Sequence, residues 1–402
     1  MPRTHLAAVI VGALVVAVTP ASAQKAYSPG ASDTDVKIGQ TQPYSGPASA
    51  NSSNGQADIA FFRMINDQGG INGRKINFIS VDDGYAPPRT LEQTRRLVEE
   101  ENVMFFYRSM GTGPNMAVAK YLNDRKIPQL FIASGASNWN DIADRPYSMG
   151  STVSYQAEAA IFARYALSVK PDAKMAALYQ NDDLGKDFLT GLKKFLGDKT
   201  SKYLVATASY EISDPTLDSQ IVTLQASGAD VFFVYGPQKA VAMSVRKVFD
   251  IGWHPLMFLP DISSSVGGSL RPAGIEKAIG VITGAFLKDP SDPQWKDDSE
   301  VHAWNAFMDK YLPNMDRGEA APVFSTAWGN VLKQVIASCG DNLTRDCIMN
   351  RATHLTNVKV PMLLPGVAIT TSPTDYRPIK QLQLERFDGT RYVRFGDVIG
   401  VD

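Results

Sequence analysis

Three stretches of this chain crowd small donors and acceptors together: Tyr44-Ser45-Gly46-Pro47-Ala48-Ser49-Ala50-Asn51-Ser52-Ser53-Asn54-Gly55, Arg108-Ser109-Met110-Gly111-Thr112-Gly113-Pro114-Asn115 and Ser134-Gly135-Ala136-Ser137-Asn138. Each follows an apolar, strand-like run. Helix N-termini at such places present unpaired N–H groups and the positive end of a dipole. Glycines let the backbone approach, and hydroxyls add donors, so the stretches could cradle a small carboxylate without a formal cation. Taken singly, each stretch is equally what a helix cap needs. Three at the strand ends of one sheet argue for a binding cleft. Arg108 adds a planar fork, suited either to a bidentate carboxylate contact or to an acidic side chain across the lobe.

Catalytic chemistry finds little to work with. The chain has no G-x-S-x-G, H-E-x-x-H, Walker A or G-x-G-x-x-G sequence. Beyond the first few residues its histidines are His254, His302 and His354, none of them in the three stretches, so a hydrolase would lack its base. Asp82-Asp83, Asp182-Asp183 and Asp297-Asp298 read as turn formers. No catalytic residue, metal site or cofactor is expected.

The first 23 residues read as an export leader: Arg3, an apolar run over 6–18, and a small-residue cleavage site ending at Ala23. The next residue is Gln24 rather than Cys, which argues against a lipid anchor. The 379 residues that remain of 402 suffice for two domains. With 40 basic and 41 acidic side chains in the whole chain, nothing electrostatic points to nucleic acid or an anionic membrane. Cys339 and Cys347 flank a helix-turn-helix signal, Gly-Asp-Asn. An oxidising compartment favours a disulfide there, worth roughly 2–3 kcal/mol by loop closure, over a metal pair that no histidine cluster supports.

The elements that must position these residues alternate regularly. Strands are expected over 36–42, 76–82, 103–107 and 129–133, with helices between them. The theme restarts with a helix over 156–169 and strands over 175–180, 203–208, 230–235 and 256–259. Strands apolar on both faces imply parallel sheets covered on both sides, hence an α/β fold of two doubly wound lobes. Helices over 300–311, 322–338 and 344–353, then a hairpin on Asp388-Gly389, must complete those lobes because alone they lack a core.

Val-Lys-Ile-Gly (36–39) with Tyr-Ser-Gly-Pro (44–47), Ile-Asn-Asp-Gln-Gly-Gly-Ile-Asn-Gly-Arg (65–74), a strand ending at Asp82-Asp83, and Ile-Pro-Gln-Leu-Phe-Ile-Ala-Ser-Gly-Ala-Ser (127–137) carry a resemblance. Together they are similar to the leucine/isoleucine/valine-binding family of periplasmic solute receptors of ABC transporters, over nearly the whole chain after the leader. The resemblance implies the type I periplasmic binding protein fold, with crossovers near 151–154, 283–287 and 372–377. The first lobe would hold 36–152 and 286–373, the second 153–285 and 374–402. Thr112, Gly135 and Ser137 match positions that hold the ligand carboxylate, and Asp261 matches the carboxylate that faces an α-ammonium. Tyr44, Ser45, Arg108 and Leu184 complete the candidate set. The second lobe departs from the pattern: Leu184-Gly185 stands where relatives place Tyr-Gly, and Gly236-Pro237 where they place an aromatic. The expected function is capture of a small amino acid or related carboxylate between closing lobes, for delivery by a monomeric receptor to an inner-membrane ABC permease. The alternative is the ligand-sensing partner of a membrane signalling receptor.

Overall fold

The computed structural model describes residues 25–400, so the leader and its cleavage site lie outside the described residues. A short strand β1 (Ala26–Tyr27) precedes β2 (Asp35–Gln42), α1 (Ser53–Asp67), β3 (Lys75–Asp82), α2 (Pro87–Glu99), β4 (Phe105–Tyr107), α3 (Thr112–Asp124), β5 (Gln129–Ile132) and β6 (Ser148–Gly150). Five of these strands form a sheet in the order β3-β2-β4-β5-β6, with every pairing parallel. Strand β6 was not expected. Its three residues are too few to show a period, and only pairing with β5 makes it a strand.

The second run comprises α4 (Tyr155–Val169), β7 (Met175–Gln180), α5 (Asp183–Leu196), α6 (Thr200–Tyr203), β8 (Leu204–Tyr210), α7 (Asp218–Ala226), β9 (Val231–Tyr235), α8 (Gln238–Asp250), β10 (Leu256–Phe258), α9 (Arg271–Ala273) and β11 (Ile282–Ala285). Then follow α10 (Ser299–Tyr311), α11 (Ala321–Cys339), β12 (Asn342–Leu343), α12 (Arg345–Ala352), β13 (Gln381–Phe387) and β14 (Tyr392–Gly400). The second sheet runs β14-β13-β11-β10-β9-β7-β8. Strands β8, β7, β9, β10 and β11 pair in parallel, and the β13–β14 hairpin closes antiparallel on β11. Burial explains the patterns: central β9 is buried at every residue, whereas edge strand β8 alternates.

In both sheets the parallel strands follow the order 2-1-3-4-5. Reversal of strand order opens a crevice outside the carboxyl ends, between β2 and β4 in one sheet and between β7 and β9 in the other. Three passages of the chain join the sheets: after β6, after β11 and before β13. Helices α10 and α11 pack on α1. The close approach of α11 needs Gly329, where a Cβ would lie 2.3 Å from the Phe61 ring. Cys339 and Cys347 form the disulfide, tying the end of α11 to α12 with Cα atoms 6.1 Å apart. The hairpin forms with a loop over 388–391: the Asp388 carboxylate accepts from the N–H groups of Thr390 and Arg391, and Gly389 takes φ +105°. Strand β14 continues past its expected end at 395, an irregularity between Leu382 and Leu384 absorbing the register.

Candidate functional site

Arg108 follows the last residue of β4 in a left-handed conformation, φ +47°, which an L residue adopts only where its surroundings demand it. The demand is local. Its carbonyl accepts from the side-chain amides of Gln40 and Gln42 on β2. Its side chain is 2% exposed, with Nε 3.3 Å from Asp58 Oδ1 on α1. Asp58 also accepts from Ser325 Oγ at 2.6 Å and Gln40 Nε2 at 2.7 Å. Burial raises the Asp58 carboxyl above its usual range, and Arg108, Ser325 and Gln40 pull against that rise. Because Asp58 takes only Nε, the two Nη atoms have no hydrogen-bond partner among the described residues. The guanidinium carbon lies 5.8 Å from the centre of the Phe324 ring.

Around Arg108 the strand ends of both sheets enclose a chamber of about 60 Å³, lined also by Asn51, Tyr85, Tyr155, Leu184 and Phe324. That is room for roughly five waters or one small polar group. Asn51 stands just before α1 and is 2% exposed, with a side-chain oxygen that has no partner among the described residues. Tyr85 takes φ +59° and packs against Gly111, where a Cβ would come within 2.5 Å of its ring. Opposite, Pro237 and Gln238 at the start of α8 and Ile262 after β10 complete the wall.

Of the residues singled out from sequence, the structure brings Arg108 and Leu184 to this chamber. The others lie elsewhere. Tyr44 bonds Ser80 through their hydroxyls at 2.6 Å, and Ser45 gives both its N–H and Oγ to Asp82. Thr112 Oγ1 is buried 2.7 Å from Ser134 Oγ. Gly135 packs against the carbonyl of Val153, to which a Cβ would approach within 2.1 Å. Ser137 spends its N–H and Oγ on Asp187 of α5, at 2.8 and 2.6 Å, a contact from one sheet's strand end to a helix of the other. Asn51 was in view as part of the first stretch. Tyr85, Tyr155 and Phe324 carry no local signal, since α11 begins more than two hundred residues after Arg108 and reaches it only through packing on α1.

Asp261 sits after β10, 8% exposed, in a network of its own. Oδ2 accepts from Thr152 at 2.6 Å, and its N–H donates to Glu158 Oε1 at 2.8 Å. Tyr235 donates to the other Glu158 oxygen. Asp261 Oδ1 has no hydrogen-bond partner among the described residues. Burial pushes Asp261 up to about 6; burial and then the Asp261 charge push Glu158 well above the carboxylate range. Asp261 lines a second, larger cavity of about 400 Å³ that adjoins the first across Ala320 and Phe324.

Two α/β lobes, linked by three passages and enclosing buried polar atoms at the strand ends, are the architecture of a solute-binding protein. The model of the periplasmic binding protein family matches residues 35–391, and the chain belongs to that family, whose members are solute-binding proteins rather than enzymes. A curated relative, the Leu/Ile/Val-binding protein homolog 1 of Brucella abortus (strain 2308), is 23% identical over 324 residues, 78% of this chain and 81% of the relative. A branched chain amino acid ABC transporter from Thermus thermophilus with bound valine matches with a TM-score of 0.80 and 15% identity, over 91% of this chain and 97% of its own. A fatty acid ABC transporter substrate-binding protein from Thermomonospora curvata reaches 0.75 at 16% identity, over 94% and 95%. The resemblance read from the sequence, and the type I periplasmic binding protein fold it implied, are borne out.

Proposed function

We propose that the protein, exported by its leader over 1–23, captures a small carboxylate-bearing compound, an amino acid or a related acid, and delivers it as a monomer to an inner-membrane ABC permease. Its lobes are 36–152 with 286–373 and 153–285 with 374–402, and ligand bridges them only when they close. One observation carries the choice of ligand: Arg108 is buried at the cleft with Nε held by Asp58 and both Nη atoms unpaired among the described residues. Such a pair of parallel donors matches a carboxylate's two oxygens. Valine and a fatty acid, named for two structurally similar proteins, have that group in common.

The test is a thermal-shift panel of α-amino acids and amine-free carboxylates of matched shape, run on wild type and Arg108→Lys. Lysine keeps a cation beside Asp58 but loses the fork. A ligand at a hundred times its Kd stabilises by about 2.7 kcal/mol. Carboxylates are expected to stabilise wild type, with the response much reduced in Arg108→Lys. Equal responses in both proteins, or none to any carboxylate, would overturn the reading.

A further inference from the structure

The larger cavity is asymmetric in charge. Its cations are all engaged: Arg271 pairs with Asp316, Lys288 with Asp298 and Glu300, and Arg317 with Asp309. Its buried acids, Asp261 and Glu385, form no ion pair among the described residues. Glu385 on β13 is 9% exposed and no group bonds its carboxyl among the described residues. Arg394 faces it across the hairpin, yet the guanidinium lies over the Trp295 ring, 4.9 Å from its centre. Asp261 Oδ1 and Trp304 Nε1 have no partner among the described residues, but both atoms are closed off from the cavity, which leaves Glu385 as the acid that lines it unbonded. Burial, and after it the charge of Asp289, pushes Glu385 up to about 8, and the Arg394 charge only partly offsets the rise. Among the described residues no three His, Cys, Asp or Glu side chains are grouped so as to hold a metal ion.

Resting on the reading of Arg108 as the carboxylate partner, we propose that this cavity is the second half of the binding site and takes an organic cation, an amine or guanidinium, facing Glu385. The ligand is then an elongated acid with a cationic group remote from its carboxylate. An α-amino acid fits less well, because its two charges share one carbon while Arg108 and Glu385 line different chambers that adjoin across Ala320 and Phe324. The volumes agree: about 60 Å³ holds a head group, and about 400 Å³ lies within the usual range for a whole ligand site.

Calorimetric affinities decide it, measured for ω-amino and ω-guanidino carboxylates of increasing length, their cation-free counterparts and α-amino acids. At some chain length the ω-cationic acid is expected to bind about tenfold tighter than its cation-free counterpart, a difference of about 1.4 kcal/mol. Glu385→Gln should bring that ratio towards one. Thr390→Lys, which places a tethered ammonium at the cavity rim, should do the same without touching Glu385. Equal affinity for cationic and cation-free acids at every length, or a ratio unmoved by both variants, would overturn the inference; if Arg108→Lys still weakens all acids, the carboxylate reading stands without it. No carboxylate binding at all would overturn both.

Discussion

Arg108 and Asp58 meet with Nε 3.3 Å from Oδ1, both side chains nearly inaccessible, and through them the end of β4 is tied to α1 and, by way of Ser325, to α11. Three elements far apart in sequence therefore share one ion pair. Asp58→Ala would leave a buried guanidinium unanswered and is expected to cost about 3–5 kcal/mol. Chemical denaturation of the unliganded protein measures it. A loss below about 1 kcal/mol, the range of exposed pairs, would show that water reaches Arg108 readily.

The Ser137–Asp187 contact joins the edge after β5 to α5 without lining the chamber of Arg108. Asp187→Ala removes both hydrogen bonds. Closure should become less favourable, and ligand affinity is expected to fall about three- to tenfold although no ligand contact is lost. Small-angle scattering of the unliganded variant should show a larger radius of gyration. Unchanged affinity and shape would mean that the contact does not stabilise closure.

Stability should fall as pH rises through neutrality. Glu385 is raised to about 8 from an ordinary value of 4.5, so between these limits the folded protein keeps a proton that the unfolded chain has released. Asp289 and Asp292 face it and favour the neutral form; Arg394 opposes them. Asp261, raised to about 6, adds to the same trend at its lower end. The loss approaches at most about 1.4 kcal/mol per pH unit for one such group. Urea midpoints at pH 5, 6.5 and 8 should decline for wild type and decline less steeply for Glu385→Gln. Parallel profiles would mean that Glu385 is solvated.

The disulfide lies at the far end of α11 from Phe324, roughly 22 Å along the helix axis. Cys339→Ser with Cys347→Ser is expected to lower stability by about 2–3 kcal/mol while ligand affinity holds. Denaturation and calorimetry on the same double variant check both halves. A large loss of affinity would mean that α12 communicates with the cleft.

The alternation of strands and helices was legible because strands buried on both faces and helices buried on one carry distinct apolar periods, as β9 and α5 show. The restart after β6 announced the second sheet, and Asp388-Gly389 the hairpin. The loops that contain the site were legible too, since residues at the strand ends of a parallel sheet need small side chains and caps. What those loops do was not. Ser45, Thr112 and Ser137 have the hydroxyls a ligand cradle needs, yet Asp82, Ser134 and Asp187 take them. A hydroxyl's partner is set by a contact across tens or hundreds of residues, and local composition is blind to it. Arg108 shows the complementary case: the sequence by itself determined that a fork stands at the end of β4. Only the tertiary structure, by bringing Asp58 to Nε alone, decided that among the described residues both Nη atoms remain unpaired at the cleft.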